Sequence, residues 1–153
     1  MNIIEGDRST PRGRFALIAA RFNDFIVEHL VASARDTLTQ HGVASADLDL
    51  IRVPGAFEIP QAADRAAASG RYAAIIGLGC VIRGATPHFE FVADAAASGL
   101  ARVAHVRGIP VVFGVLTTDD VDQALERCGG KGGNKGVDAA LAAIEMVNLW
   151  TRM

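Results

Sequence analysis

The sequence predicts an α/β domain in which a parallel sheet is covered by helices. Two observations carry that prediction. Short apolar runs alternate four times with longer stretches whose apolar residues recur at helical spacing. The third apolar run, Ala73 to Leu78, holds no charge, as a central strand buried on both faces should. A length of 153 residues suits one domain. It also allows a core that hides roughly two thirds of the unfolded surface.

Taken in order, the first strand is expected over about Arg14 to Ala20. A helix follows from near Asp24 to His41, with Ile26, Leu30, Ala34 and Leu38 on one stripe and Gly42 as its stop. The second strand spans about Leu48 to Val53, then Pro54, Gly55 and a helix through the alanine-rich stretch to Gly70. After the third strand, a glycine-containing turn from Gly79 to Pro87 leads to a helix that begins near His88 and ends before Gly108. The fourth strand, Val111 to Leu116, is followed by Asp119 and Asp120, which suit the start of a short helix to Cys128 by capping it and opposing its dipole. The segment GGKGGNKG, Gly129 to Gly136, breaks the chain before a last amphipathic helix from Val137 to about Trp150, with Leu141, Ile144, Val147 and Leu149 on its apolar side. Residues Met1 to Arg12 read as an arm outside the sheet, leaving residues 13 to 153 as the single domain.

Composition narrows the function. Fifteen basic against 17 acidic side chains give a net charge of -2, so no summed field holds nucleic acid or an acidic membrane surface. The longest stretches without Asp, Glu, Lys or Arg are eleven residues, Tyr72 to Ile82 and Gly108 to Thr118, against about 20 for a membrane span. The opening MNIIEGDRST has no basic segment followed by an apolar one, which predicts a cytoplasmic chain without a signal peptide. Cys80 and Cys128 are too few for a disulfide framework and lack zinc-site spacing. Half of the residues are hydrophobic, and although 27 of them are alanine, the excess for a small monomer predicts a homo-oligomer.

Ligands of open parallel sheets bind where the strands end, because loops converge there and helix N-termini point inward. Those positions hold Arg21, Phe22, Asn23 and Asp24, then Pro54, Gly55, Ala56, Phe57 and Glu58, then Gly79 to His88, and on the fourth strand Phe113 to Thr118, all expected on one rim. In the third turn, Gly84 would permit a backbone path closed to other residues, while Ala85 and Thr86 would offer N–H groups and a hydroxyl to an anion, with Arg83 adding charge. From local features alone the turn is either that anion site or a plain connection. Neither GxGxxG spacing nor a Walker A loop is present. His88, two residues past Thr86, is either a proton carrier, since histidine titrates near neutrality, or a helix-start surface residue. His29, His41 and His105 fall in helical segments and read as structural. Glu58 is either a helix-dipole partner or an acceptor for a polyol. Phe22, beside polar Asn23, could stack on a heterocycle, and Arg127 and Lys135 flank the glycine-rich break as phosphate ligands or solvated bases. Nothing adjacent to Cys80 lowers its pKa, so it is not expected to be a nucleophile.

Together these residues become specific. Phe22 with Asn23, VPGAFEIP (Val53 to Pro60), GCVIRGATPHFEFV (Gly79 to Val92), FGVLTTD (Phe113 to Asp119) and GNKGVDAALAAIEM (Gly133 to Met146) resemble the lumazine synthase family of riboflavin biosynthesis, in its order and spacing. The resemblance covers nearly the whole chain after about Arg14. It implies a three-layer flavodoxin-like sandwich with a four-stranded parallel sheet, a homopentamer that in some members builds a shell, and riboflavin synthase as a partner. It also implies the penultimate step of the pathway: 5-amino-6-(D-ribitylamino)uracil condenses with 3,4-dihydroxy-2-butanone 4-phosphate to 6,7-dimethyl-8-ribityllumazine, phosphate and water, without metal or organic cofactor. Family roles then fall on Phe22 and Asn23 for the pyrimidine, on Ala56, Phe57, Glu58, Cys80, Val81 and Ile82 for the ring and ribityl chain, and on Gly84, Ala85, Thr86, Arg127 and Lys135 for the phosphate. His88 would transfer protons, and Phe113 would close the pocket from a neighbouring subunit.

One departure stands out: where many members read Asn-Glu after HFxxVC, this chain has Asp94 and Ala95 after Ala93, which touches helix packing more than chemistry. Two rivals remain to be weighed. A lumazine or flavin carrier, or a scaffold paralogue, would need Phe22 and Glu58 but neither His88 nor Arg127. A phospho-receiver domain would need an acidic pair after the first strand and an Asp ending the third, where Arg21 to Asn23 and Gly79 stand.

Overall fold

Strand β1 (Arg14–Ala20) buries every side chain after its first, as a strand inside a parallel sheet must. The structure is a computed structural model and describes residues 1–153. In chain order the other elements are α1 (Asp24–Gln40), β2 (Leu48–Val53), α2 (Ile59–Ala68), β3 (Tyr72–Ile82), α3 (His88–Arg107), β4 (Val111–Thr118), α4 (Val121–Glu126), β5 (Cys128–Gly130), β6 (Gly133–Asn134) and α5 (Lys135–Trp150). The four main strands pair in parallel in the order β2-β1-β3-β4. Period-two alternation sends Phe15, Leu17 and Ala19 toward α1 and α5, and Ala16, Ile18 and Ala20 toward α2 and α3. The result is the three-layer α/β/α sandwich with a four-stranded parallel sheet, and no helix is long and apolar enough to cross a membrane.

Three expectations need correction. β3 does not end at Leu78 but continues through Gly79 and Cys80 to Ile82. Its glycines are packing devices rather than turn signals: a Cβ on Gly77 would lie 2.8 Å from Leu100 and 2.9 Å from Ile59, and one on Gly79 would lie 3.1 Å from Ile59. The glycine-rich break is in part an antiparallel ribbon, β5 with β6, not an unstructured connection. The core stripe of α5 is mostly small, with Ala139, Ala140, Ala143, Ile144 and Val147 buried and Leu141 and Leu149 only half-buried.

That small stripe has a cause. α5 runs so close to α1 that a Cβ on Gly136 would sit 2.2 Å from the carbonyl oxygen of Leu30. Gly136→Ala is therefore expected to lower stability by about 1–3 kcal/mol, because two backbones must separate; a urea melt with an unchanged midpoint would contradict the close packing. Residues Met1 to Arg12 form no strand of the sheet. They lie on the end of α5, where buried Asn148 donates to the carbonyls of Asp7 and Ser9, each at 2.9 Å, and Arg152 pairs with Asp7. Hydrogen bonds from Ser9 and then Arg152 hold the Asp7 carboxyl down at about 2.

Candidate active site

In the order β2-β1-β3-β4 the chain reverses direction across the sheet between β1 and β3, and an open crevice results at their carboxyl ends. The backbone builds it in three steps. Past β1, the N–H of Arg21 donates to Val53 O at 2.8 Å and that of Phe22 to Pro54 O at 3.0 Å, so the two loops leave the sheet together. Asn23 then adopts φ 59° and ψ 41°, the one non-glycine residue of the chain with positive φ, a conformation that asparagine tolerates better than most residues. Its side-chain amide donates to the carbonyl of Cys80 at 2.8 Å, tying the β1 loop to β3 and leaving the Phe22 ring 72% exposed.

After β2, a 3-10 turn Ala56–Glu58 leads into α2. Phe57 stays exposed and Glu58 half-buried; a Cβ on Gly55 would come within 3.2 Å of the Glu58 carboxylate, so glycine there leaves that group its place. β3 overshoots its partner: pairing with β1 ends at Ala19 with Leu78, while Cys80, Val81 and Ile82 still pair with β4. The β1-facing edge beyond Leu78 therefore presents peptide groups without a strand partner, apart from the Cys80 carbonyl used by Asn23. The Cys80 thiol is buried, and desolvation pushes it up to about 12, so it stays protonated and unreactive as expected.

These three loops and the start of α3 enclose a cavity of about 700 Å³. Of the expected residues, Phe22, Asn23, Ala56, Phe57 and Glu58 line it from β1 and β2, and Cys80, Val81, Ile82, Gly84, Thr86 and His88 from β3 and its turn. Ala85 lies exposed between two lining residues. The reason given for Gly84 does not hold: its φ is not positive, and a Cβ there would meet nothing within 4 Å. Arg83 is not a free charge either. It is bonded to Asp119 and Glu90 and stacks on Phe89 with its guanidinium 4.3 Å from the ring centre. Three walls went unread in the sequence, Phe89, Phe91 and Val92. Phe91 and Val92 stand three and four residues after His88, a helical spacing that marks one face and was available as a signal.

Phe113, Arg127 and Lys135 are elsewhere. They line a second cavity of about 310 Å³ with Thr117, Gly132 and Asp138, which shares no residue with the first. Phe113 is not on the carboxyl rim at all: it pairs with Gly77 partway along β4, at the sheet's edge, and is 39% exposed. Arg127 follows α4 and donates to the Gln123 carbonyl at 3.0 Å, while Lys135 opens α5, whose first N–H groups are capped by Asn134. On one chain the expected site is thus two separate half-sites, one apolar with a histidine and one carrying two cations. No cluster of three or more His, Cys, Asp or Glu side chains is placed to hold a metal ion. A comparison with protein families matches residues 12–151 to the model described as 6,7-dimethyl-8-ribityllumazine synthase. The match takes in every element of the sheet and both half-sites, and the chain belongs to the 6,7-dimethyl-8-ribityllumazine synthase family, an enzyme family of riboflavin biosynthesis.

Proposed function

We propose that the protein condenses 5-amino-6-(D-ribitylamino)uracil with 3,4-dihydroxy-2-butanone 4-phosphate to give 6,7-dimethyl-8-ribityllumazine, releasing phosphate and water, as the penultimate step of riboflavin synthesis. The observation that carries this reading is that His88 opens into the same cavity as the exposed Phe22 ring and the bare Gly84 to Thr86 turn. Phe22 stacks on the pyrimidine, and the unpaired edge of Cys80 to Ile82 hydrogen-bonds its polar rim. Ala56 and Phe57 pack on the ring while Glu58 accepts from ribityl hydroxyls. The exposed N–H groups of Ala85 and Thr86, ahead of α3, bind the phosphate at a helix N-terminus that no side chain caps.

The amine is already nucleophilic, so the protein orients two substrates and moves protons. The amine adds to the ketone and a first water leaves as the imine forms; loss of the C3 proton as phosphate departs from C4 leaves an enol. The enol takes up a proton at C4 and becomes the second carbonyl, onto which the ribitylamino nitrogen closes the ring with loss of a second water. His88 accepts and returns these protons. No metal or organic cofactor is required. Because the cations needed for phosphate stand in the other cavity, the working unit is a ring of copies in which Phe113, Arg127 and Lys135 of one copy complete the cavity of the next. The resemblance to the family makes that ring a homopentamer, and we place it in the cytoplasm. Association with riboflavin synthase would place the next step beside it.

Following lumazine absorbance with both substrates, with and without a chelator, tests the reading. Chelator-insensitive product is expected, whereas no product from a protein that still binds the uracil would replace the enzyme by a carrier. Arg127→Ala should raise KM for the butanone phosphate by about tenfold, the loss of one charge-assisted hydrogen bond, with little change for the uracil. Unchanged KM for the phosphate substrate would remove Arg127 from the site.

A further inference from the structure

The turn that should hold the phosphate has no packing of its own. Gly84, Ala85, Thr86 and Pro87 are all exposed, and Gly84 borders open space. What tethers it is its first residue. The N–H of Arg83 donates to Thr118 O at 2.8 Å, holding the turn's entry to the end of β4. The Arg83 side chain then reaches both neighbours of the turn, with Nε donating to Asp119 at 3.1 Å and the guanidinium pairing with Glu90 and covering the Phe89 ring at 4.3 Å. Asp119 is itself anchored, since its N–H donates to the Gln123 side chain at 2.9 Å. One planar fork therefore joins β4, the turn and the first helical turn that carries His88.

We propose that Arg83 is a positioning residue for the phosphate turn and for His88, and is not itself a phosphate ligand. Two carboxylates neutralise its charge, and Nε, one terminal nitrogen and one face of the guanidinium are committed to Asp119, Glu90 and the Phe89 ring. Each ion pair is exposed and weak alone. Acting together on a segment with no buried side chain, they decide where the turn sits, and a displacement of about 1 Å at a reacting centre can cost a hundredfold in rate. The assignment rests on the reaction proposed above for its kinetic arm, but not for its binding arm.

The test compares Arg83→Met, Arg83→Lys and the double variant Glu90→Gln/Asp119→Asn. Inorganic phosphate binding is measured by calorimetry, and kcat with KM for each substrate by lumazine absorbance. Arg83→Met should weaken phosphate and raise KM for the butanone phosphate by about tenfold, and lower kcat, while KM for the uracil holds. Arg83→Lys should recover only part of this, since an ammonium cannot make the fork. The double variant keeps Arg83 and removes negative charge near the site, yet should also weaken phosphate, because the turn loses its anchors. Tighter phosphate binding by the double variant would overturn the proposal and make Arg83 a direct ligand. So would Arg83→Met with wild-type parameters, or equal changes in both KM values that track the melting temperature. If Arg83→Met fails to fold, the lysine and double variants decide by the same signs. A wild-type protein that binds phosphate with this variant pattern but makes no lumazine would sink the reaction and leave the Arg83 assignment standing; one that binds no phosphate would sink the assignment.

Discussion

His88→Ala is expected to lower kcat for lumazine formation by about a hundredfold, the lower end of what a positioned general acid and base contributes. KM for the two substrates should change little, because the cavity walls and the phosphate turn remain. The size of the effect follows from position. His88 is exposed in the first turn of α3, two residues past Thr86, in the cavity that also holds the exposed Phe22. Water can replace an imidazole as a proton carrier only slowly, no other histidine lines that cavity, and burial pushes the Cys80 thiol up to about 12. Single-turnover kinetics separate this from a binding defect. Full turnover in the variant would strip His88 of its role and leave it a surface residue at a helix start.

The second large effect is a rescue. His88→Ala chains mixed with Arg127→Ala chains, unfolded and refolded together, should recover about a quarter of wild-type sites, as random placement around a closed ring requires. The two residues line cavities with no member in common, so a site that needs both is expected to draw them from two chains. In a head-to-tail ring, an intact site forms wherever an Arg127→Ala chain supplies the histidine cavity and its His88→Ala neighbour supplies the arginine. Activity no greater than the sum of the two variants assayed apart would mean that each chain works with its own residues only.

Much of this was legible in the linear chain. β1 and β2 fall on the expected residues, because each is a short apolar run bounded by turn residues. α3 likewise spans His88–Arg107, and Gly108 ends it in the left-handed region at φ 67°. Asp120 caps α4 by accepting from the Gln123 N–H at 2.8 Å, the role its residue type suggested. Eleven expected site residues line one cavity for a related reason: they lie at or just beyond the carboxyl ends of adjacent strands, and strand polarity brings such segments together whatever their side chains are.

By itself, then, the amino-acid order determined the fold class, most element boundaries and the chemistry available at the strand ends, since periodicity, caps and turn residues act over a few neighbours. Only the tertiary structure decided the rest. It extended β3 to Ile82, because Gly77 and Gly79 are explained by helices lying close above them and not by their sequence neighbours. It turned Arg83 from a candidate ligand into a clamp, through Asp119, a residue 36 positions away. And it parted Phe113, Arg127 and Lys135 from His88: Phe113 pairs with Gly77 partway along the edge strand β4, Arg127 follows α4 and Lys135 opens α5, so all three line a different cavity. Long-range packing sets those three outcomes, and a local pattern carries no record of which distant backbone will come to rest beside it.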